Sequence, residues 1–131
     1  MKLIRIVNEL IVANVMEATH FYEKVFHFEV EYTDGNPVTW VQMKNGNVKL
    51  MLEDYETVSK EISDFPNKVK SNNIMKFELD SLTELKDLYQ RCKNDNCIFF
   101  MDYRVTEYGK VEFGIFDLDY NMILVSCEQD D

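Results

Sequence analysis

At 131 residues the chain is long enough for one compact domain whose core needs no disulfide support. Its 14 basic against 24 acidic residues leave a formal charge of −10, which excludes a nucleic-acid partner, because phosphate binding requires a basic face, and leaves a cationic small ligand acceptable. No apolar run approaches the roughly 20 residues that span a bilayer, so no membrane partner is expected. Residues 1–15 mix Lys2, Arg5 and Glu9 into an apolar run unlike a signal peptide, and the three cysteines, Cys92, Cys97 and Cys127, lack the close pairing of a zinc or redox motif. Buried reduced thiols and a cytoplasmic location follow as expectations.

In chain order, residues 3–13 read as a first strand, with Asn8, Leu10 and Val12 in one row and Val7, Glu9 and Ile11 in the other. From Val15 the period lengthens: Val15, Ala18, Tyr22 and Val25, flanked by Phe21 and Phe26, recur at helical spacing, with Asn14 as cap and an end near His27. Three strands follow at 28–33, 38–43 and 48–53, joined by turns holding Asp34-Gly35 and Asn45-Gly46, pairs that favour tight hairpins. In the third, Val48, Leu50 and Leu52 form a helix-facing row, and Lys49, Met51 and Glu53 the opposite one. Residues 54–73 are polar, with a short helical pattern at 55–62 and a break at Pro66-Asn67, and read as a linker. A strand at 74–80, a helix at 81–94 capped by Asp80 or Ser81, a strand at 97–105 and a closing hairpin complete the chain.

The order strand, helix, three strands therefore occurs twice. The fold class expected is α+β: tandem βαβββ modules, 1–53 and 74–128 around a linker at 54–73, forming curved mixed sheets about a concave cavity with helices outside. Open half-sheets leave edges and faces that a second copy can cover, and a homodimer is expected.

The closing hairpin turns through Asp117-Leu118-Asp119-Tyr120-Asn121, and the first helix carries Phe21-Tyr22 followed by Val25 and His27-Phe28. These segments resemble the vicinal-oxygen-chelate superfamily of glyoxalases, bleomycin-resistance proteins and extradiol dioxygenases. There the turn reads Asp-Pro-Asp-Gly-Asn before a metal-binding Glu, and the helix leads into Gly-Phe. Leu118 replaces Pro, Tyr120 replaces Gly, and His27 replaces the helix-end Gly. The resemblance implies four metal-ligand positions, one on each of four strands, and here they hold Val7, Met51, Ile74 and Leu124. None offers oxygen or nitrogen; only the Met51 thioether is a donor, and a soft one. No metal and no cofactor are expected.

The reading that follows is metal-independent binding of a small organic compound, cationic or aromatic in character, in the manner of bleomycin-resistance proteins. The expected binding residues are Val7, Trp40, Met51, Glu53, Ile74, Glu112 and Leu124, an apolar floor edged by carboxylates. The alternative is a glyoxalase-like lyase or isomerase, or a dioxygenase-related enzyme, with an unusual site, or a metal-free acid–base catalyst built on Glu53, Glu78 or Glu112. Asp102 with Glu107 is a further carboxylate pair to weigh, Tyr103 and Tyr108 are candidate entrance residues, and an interaction module with a filled cavity is a third reading.

Overall fold

A computed structural model describes residues 1–62 and 72–129. Among the described residues, eight strands and three helices fall into two compact units, and each unit is a four-stranded mixed sheet with a helix on one face. Pro66-Asn67 lies outside the described residues.

In the first unit, β1 (Asn8–Val12), α1 (Val15–Phe26), β2 (Glu29–Asp34), β3 (Trp40–Asn45) and β4 (Val48–Asp54) give the sheet order β1-β4-β3-β2. Only the β1–β4 pair is parallel, because α1 carries the chain across the sheet between β1 and the meander β2–β4. The start of α1 is fixed by the Asn14 side chain, whose Oδ1 accepts the Glu17 N–H at 3.0 Å. Its end is fixed by His27 in the left-handed region, φ 56°, where the His27 and Phe28 N–H groups donate to the Glu23 and Tyr22 carbonyls at 3.1 Å each. Asn45 Nδ2, at the end of β3, donates to the Phe26 carbonyl at 2.8 Å and ties that helix end to the sheet. Val15, Ala18, Tyr22, Val25 and Phe26 then bury against Leu10, Val12, Val41, Met43, Leu50 and Leu52.

The second unit repeats the plan with β5 (Ile74–Leu79), α3 (Leu82–Asn94), β6 (Phe99–Val105), β7 (Lys110–Phe116) and β8 (Met122–Glu128), in the order β5-β8-β7-β6. Ser81 caps α3 by accepting the Glu84 N–H at 3.2 Å, and Leu85, Leu88 and Cys92 bury against Met75, Val111, Phe113, Ile115, Ile123 and Val125. The hydrogen bond with the Cys97 side chain, and then burial, raise the Cys92 thiol well above its ordinary range, so Cys92 stays protonated. Cys127 is buried as well, whereas Cys97 is half-exposed, against the expectation that all three would be buried.

Several element bounds differ from those read in the sequence, each for a local reason. The first strand begins at Asn8 rather than at residue 3, because its partner β4 begins at Val48, opposite residues just ahead of Asn8, and the turn before it offers no ladder. Leu3, Ile4 and Ile6 are left exposed. Trp40 rather than Val38 opens β3, since the Thr39 N–H closes the preceding turn on the Asp34 carbonyl at 2.9 Å. Phe99 rather than Cys97 opens β6, since the Cys97 N–H is spent on the Cys92 carbonyl at the end of α3. The short helical pattern read at 55–62 is a helix, α2 (Tyr55–Glu61), that buries Val58 and rests on β1 and β4.

Candidate functional site

Strand alternation leaves each sheet with a face turned away from its helix. In the first unit this face is built from cross-strand rows: Glu9, Met51 and Gln42 in one, and Ile11, Glu53, Trp40 and Asp34 in the next. Three of the sequence-predicted binding residues, Trp40, Met51 and Glu53, therefore share one surface. Val7 lies just before β1, half-buried, and is not part of the ladder.

The face is more polar than the apolar floor expected from sequence. A bulge between Val30 and Tyr32 inserts Glu31 beside Gln42. There the Glu31 carboxylate accepts from Gln42 Nε2 at 2.6 Å and from Lys49 Nζ at 3.0 Å, with Lys44 3.9 Å away. The Gln42 bond first, and then Lys49, hold the Glu31 carboxyl below the usual range. Simple alternation from the flanking strand residues gave no signal for Glu31, because only the bulge brings it round.

Glu53 is in the opposite condition. Burial first, and then the carboxylates of Glu61, Glu9, Asp54 and Asp34, push its carboxyl above the ordinary value. No hydrogen bond or ion pair to the Glu53 carboxylate is present among the described residues, and its cross-strand neighbour Trp40 is the only tryptophan of the chain.

In the second unit the helix-free face carries the row Glu78, Ser126, Glu112 and Arg104, then Lys76, Leu124 and Gly114, then Ile74, Met122 and Phe116. Ile74, Glu112 and Leu124 thus lie on one surface, as read from the sequence. Glu112 is only 2 % exposed, and the Arg104 guanidinium donates to its Oε1 from Nε at 2.8 Å and from Nη2 at 2.6 Å. A Cβ at Gly114 would collide with the Phe100 ring, which lies over the strand and would have to move aside. Arg104 and Phe100 escaped the sequence reading because β6 slips register against β7 twice, so alternation could not place them.

Other candidates are committed elsewhere. Asp102 lies beside α3, where it accepts the Tyr89 hydroxyl at 2.6 Å and its neighbour's Tyr103 N–H at 2.8 Å; the Tyr89 bond first, and then the Tyr103 amide, lower its carboxyl. Glu107 is an exposed loop residue with no bond to Asp102 among the described residues, so the two do not form an acid–base pair. The Tyr103 ring packs 5.3 Å from Tyr89, and Tyr108 is exposed. Glu78 is exposed and 3.7 Å from Lys76.

Val7, Met51, Ile74 and Leu124, the positions at which the sequence resemblance implies metal ligands, carry side chains with no oxygen or nitrogen donor. Among the described residues no group of three or more His, Cys, Asp or Glu side chains is gathered to hold a metal ion. The donor set at those four positions does not fit a divalent metal.

The superfamily profile described as Glyoxalase/Bleomycin resistance protein/Dioxygenase matches residues 2–125. Among solved structures, a lactoylglutathione lyase from Agrobacterium tumefaciens is similar at 20 % identity and TM-score 0.75, covering 96 % of this chain and 94 % of its own. A glyoxalase-related enzyme from Fulvimarina pelagi is similar at 11 % identity and TM-score 0.81, covering 96 % and 89 %. A glyoxalase/bleomycin resistance protein/dioxygenase from Alicyclobacillus acidocaldarius is similar at 12 % identity and TM-score 0.68, covering 94 % and 89 %. Identities this low speak to fold alone. No curated protein sequence matches the chain.

Proposed function

The chain belongs to the Glyoxalase/Bleomycin resistance protein/Dioxygenase superfamily, and from that premise we propose that it binds a small organic cation with an aromatic or apolar body, without a catalytic metal, on the helix-free face of its first sheet. The observation that carries this reading is the Glu53–Trp40 pair. A carboxylate that burial and four neighbouring carboxylates make costly to ionise sits directly across the strand from an indole. An ammonium placed between them relieves the carboxylate repulsion and meets the negative face of the ring, while Ile11 and Met51 beside them receive apolar surface. Holding is the activity supported, because the positions that would supply a Lewis acid carry no ligands for one.

Trp40 is the only tryptophan, so its fluorescence reports the site directly. Titration with benzyltrimethylammonium is expected to change that emission saturably, and Glu53→Gln to weaken binding about tenfold, the equivalent of losing one charge-assisted contact. Equal binding of neutral benzyl alcohol, or an unchanged affinity in Glu53→Gln, would remove the basis for the reading.

One observation favours a second reading. A carboxyl raised above its ordinary value in a partly apolar row is also what a general acid or base requires, so Glu53 would serve a metal-free lyase or isomerase of the same superfamily. Turnover of α-keto thiol conjugates by metal-stripped protein, abolished by Glu53→Gln, would decide for it. The exposed Leu3, Ile4 and Ile6, next to the edge strand β1, support a homodimer. Analytical ultracentrifugation tests that, with a monomer at all concentrations as the contrary result. The three cysteines, which form no disulfide among the described residues, fit a reducing compartment, and no described helix is long and apolar enough to cross a membrane.

A further inference from the structure

On the helix-free face of the second sheet, one buried polar group has no partner. Ser126 is 1 % exposed, and its Oγ makes no hydrogen bond among the described residues. Its side chain shares a face with Glu112, its cross-strand partner, because Val125 and Cys127 on either side point to the helix. Glu112 is nearly as buried, yet both guanidinium bonds from Arg104 fall on Oε1, and Oε2 accepts nothing among the described residues. A hydroxyl with its donor and acceptor both unused therefore adjoins a carboxylate oxygen with lone pairs to spare. Buried polar groups are paired in folded proteins, and the exceptions call for a reason.

The surroundings define the partner chemically. Glu112 is already neutralised by Arg104, and at the other end of the row Glu78 is 3.7 Å from Lys76, so the row is balanced in charge and offers no net attraction to an ion. It offers one acceptor on Glu112 and one donor-acceptor on Ser126. The flanking side chains are the exposed ones: Arg104 is 53 % and Glu78 66 % exposed, so the row meets solvent at both ends.

We propose that Ser126 and Glu112 form a hydrogen-bonding subsite for a neutral polar group carrying both a donor and an acceptor, a carboxamide or a hydroxyl, on a small organic compound. It rests on the reading that the helix-free sheet faces of this chain take such compounds, and Arg104 acts as a positioning residue that fixes the Glu112 carboxylate so that Oε2 faces the incoming donor.

The test is two-dimensional amide NMR of the full chain with three probes. Benzamide is expected to shift the backbone resonances of Glu112 and Ser126 saturably, benzoate to leave them unmoved, and benzyltrimethylammonium to shift the Trp40 indole instead. Ser126→Ala is expected to weaken benzamide at least fivefold while its melting temperature stays at or above that of the wild type. The subsite is overturned if benzamide leaves β7 and β8 unshifted, if benzoate matches it, if Ser126→Ala binds benzamide as before, or if Ser126→Ala melts lower, since the hydroxyl would then be structural. A silent Trp40 indole with benzamide still bound at Ser126 would sink the cation site alone, and the converse pattern would sink this subsite alone.

Discussion

The Arg104 guanidinium places two donors on a single oxygen of Glu112, and the two ends of that pair live in different solvents: the carboxylate is 2 % exposed and the arginine 53 %. Removing either partner is therefore asymmetric. Arg104→Ala strands a buried charge and should cost roughly 2 kcal/mol, below the ~3–5 kcal/mol of a wholly buried pair because water can replace the half-exposed arginine. Glu112→Gln leaves an exposed cation that water can serve, and should cost only about 1 kcal/mol. The double variant Arg104→Met with Glu112→Leu should return to near wild-type stability. Urea melts of the three variants check this, and equal losses in both single variants would contradict it.

Ser126→Ala should stabilise the protein by about 1 kcal/mol, since it deletes a buried hydroxyl that gains no hydrogen bond in the folded state. For a chain of this size that is a rise of roughly 3–5 °C in Tm. Differential scanning calorimetry reads it directly.

Glu53 sets a pH dependence of stability. Its folded carboxyl titrates above its ordinary value of 4.5, mainly through burial and then through Glu61, Glu9, Asp54 and Asp34. Between the ordinary and the raised value the folded chain holds a proton that the unfolded chain has released, so stability falls as pH rises through that window and is regained on acidification. Glu53→Gln should flatten this segment of the Tm-against-pH profile, raising Tm at about neutral pH and leaving it unchanged below the ordinary carboxylate value. A profile unaltered by the substitution would contradict it.

The closing turn hangs on one carboxylate. Asp117 Oδ1 accepts the Asp119 and Asn121 N–H groups at 2.9 and 2.8 Å, and Oδ2 accepts Asn121 Nδ2 at 2.9 Å. Asp117→Ala leaves these donors without their acceptor in a partly buried turn and should cost about 3 kcal/mol. Amide exchange of Asp119 and Asn121, protected in the wild type, should become fast.

That turn also holds Tyr120 at φ 61°, and α1 ends in His27 at φ 56°. Both stand where the sequence resemblance implies glycine, and both keep the left-handed backbone a glycine would adopt without strain. Tyr120→Gly and His27→Gly should each change stability by less than about 1 kcal/mol. Relieved strain raises it; a more flexible unfolded chain, and at Tyr120 the lost packing on Phe116 at 5.7 Å, lower it. Substitution of either by valine should be several times worse, because a β-branched residue tolerates that region least.

Much of this was legible in the sequence, because alternation and helical spacing are local. The Asn14 cap, the His27 exit and the alternating rows of β4, β7 and β8 placed Met51, Glu53, Glu112 and Leu124 on helix-free faces. What escaped was set by irregular pairing. The bulge that turns Glu31 onto Gln42 and Lys49, and the slips that bring Arg104 to Glu112, change the polarity of both faces. No residue type announces either slip, because both depend on how a partner strand sits alongside. The strand read from residue 3 failed for a related reason: apolar pattern was present, but no partner extended to meet it.

The most direct measurement is isothermal calorimetry of benzyltrimethylammonium against protein stripped with chelator, with and without zinc, nickel, manganese or iron restored. Saturable binding to the stripped protein, unchanged by the metals and weakened about tenfold in Glu53→Gln, is expected. Binding that appears only after a metal is returned would contradict the reading that this fold works here by holding a cation at Glu53 and Trp40.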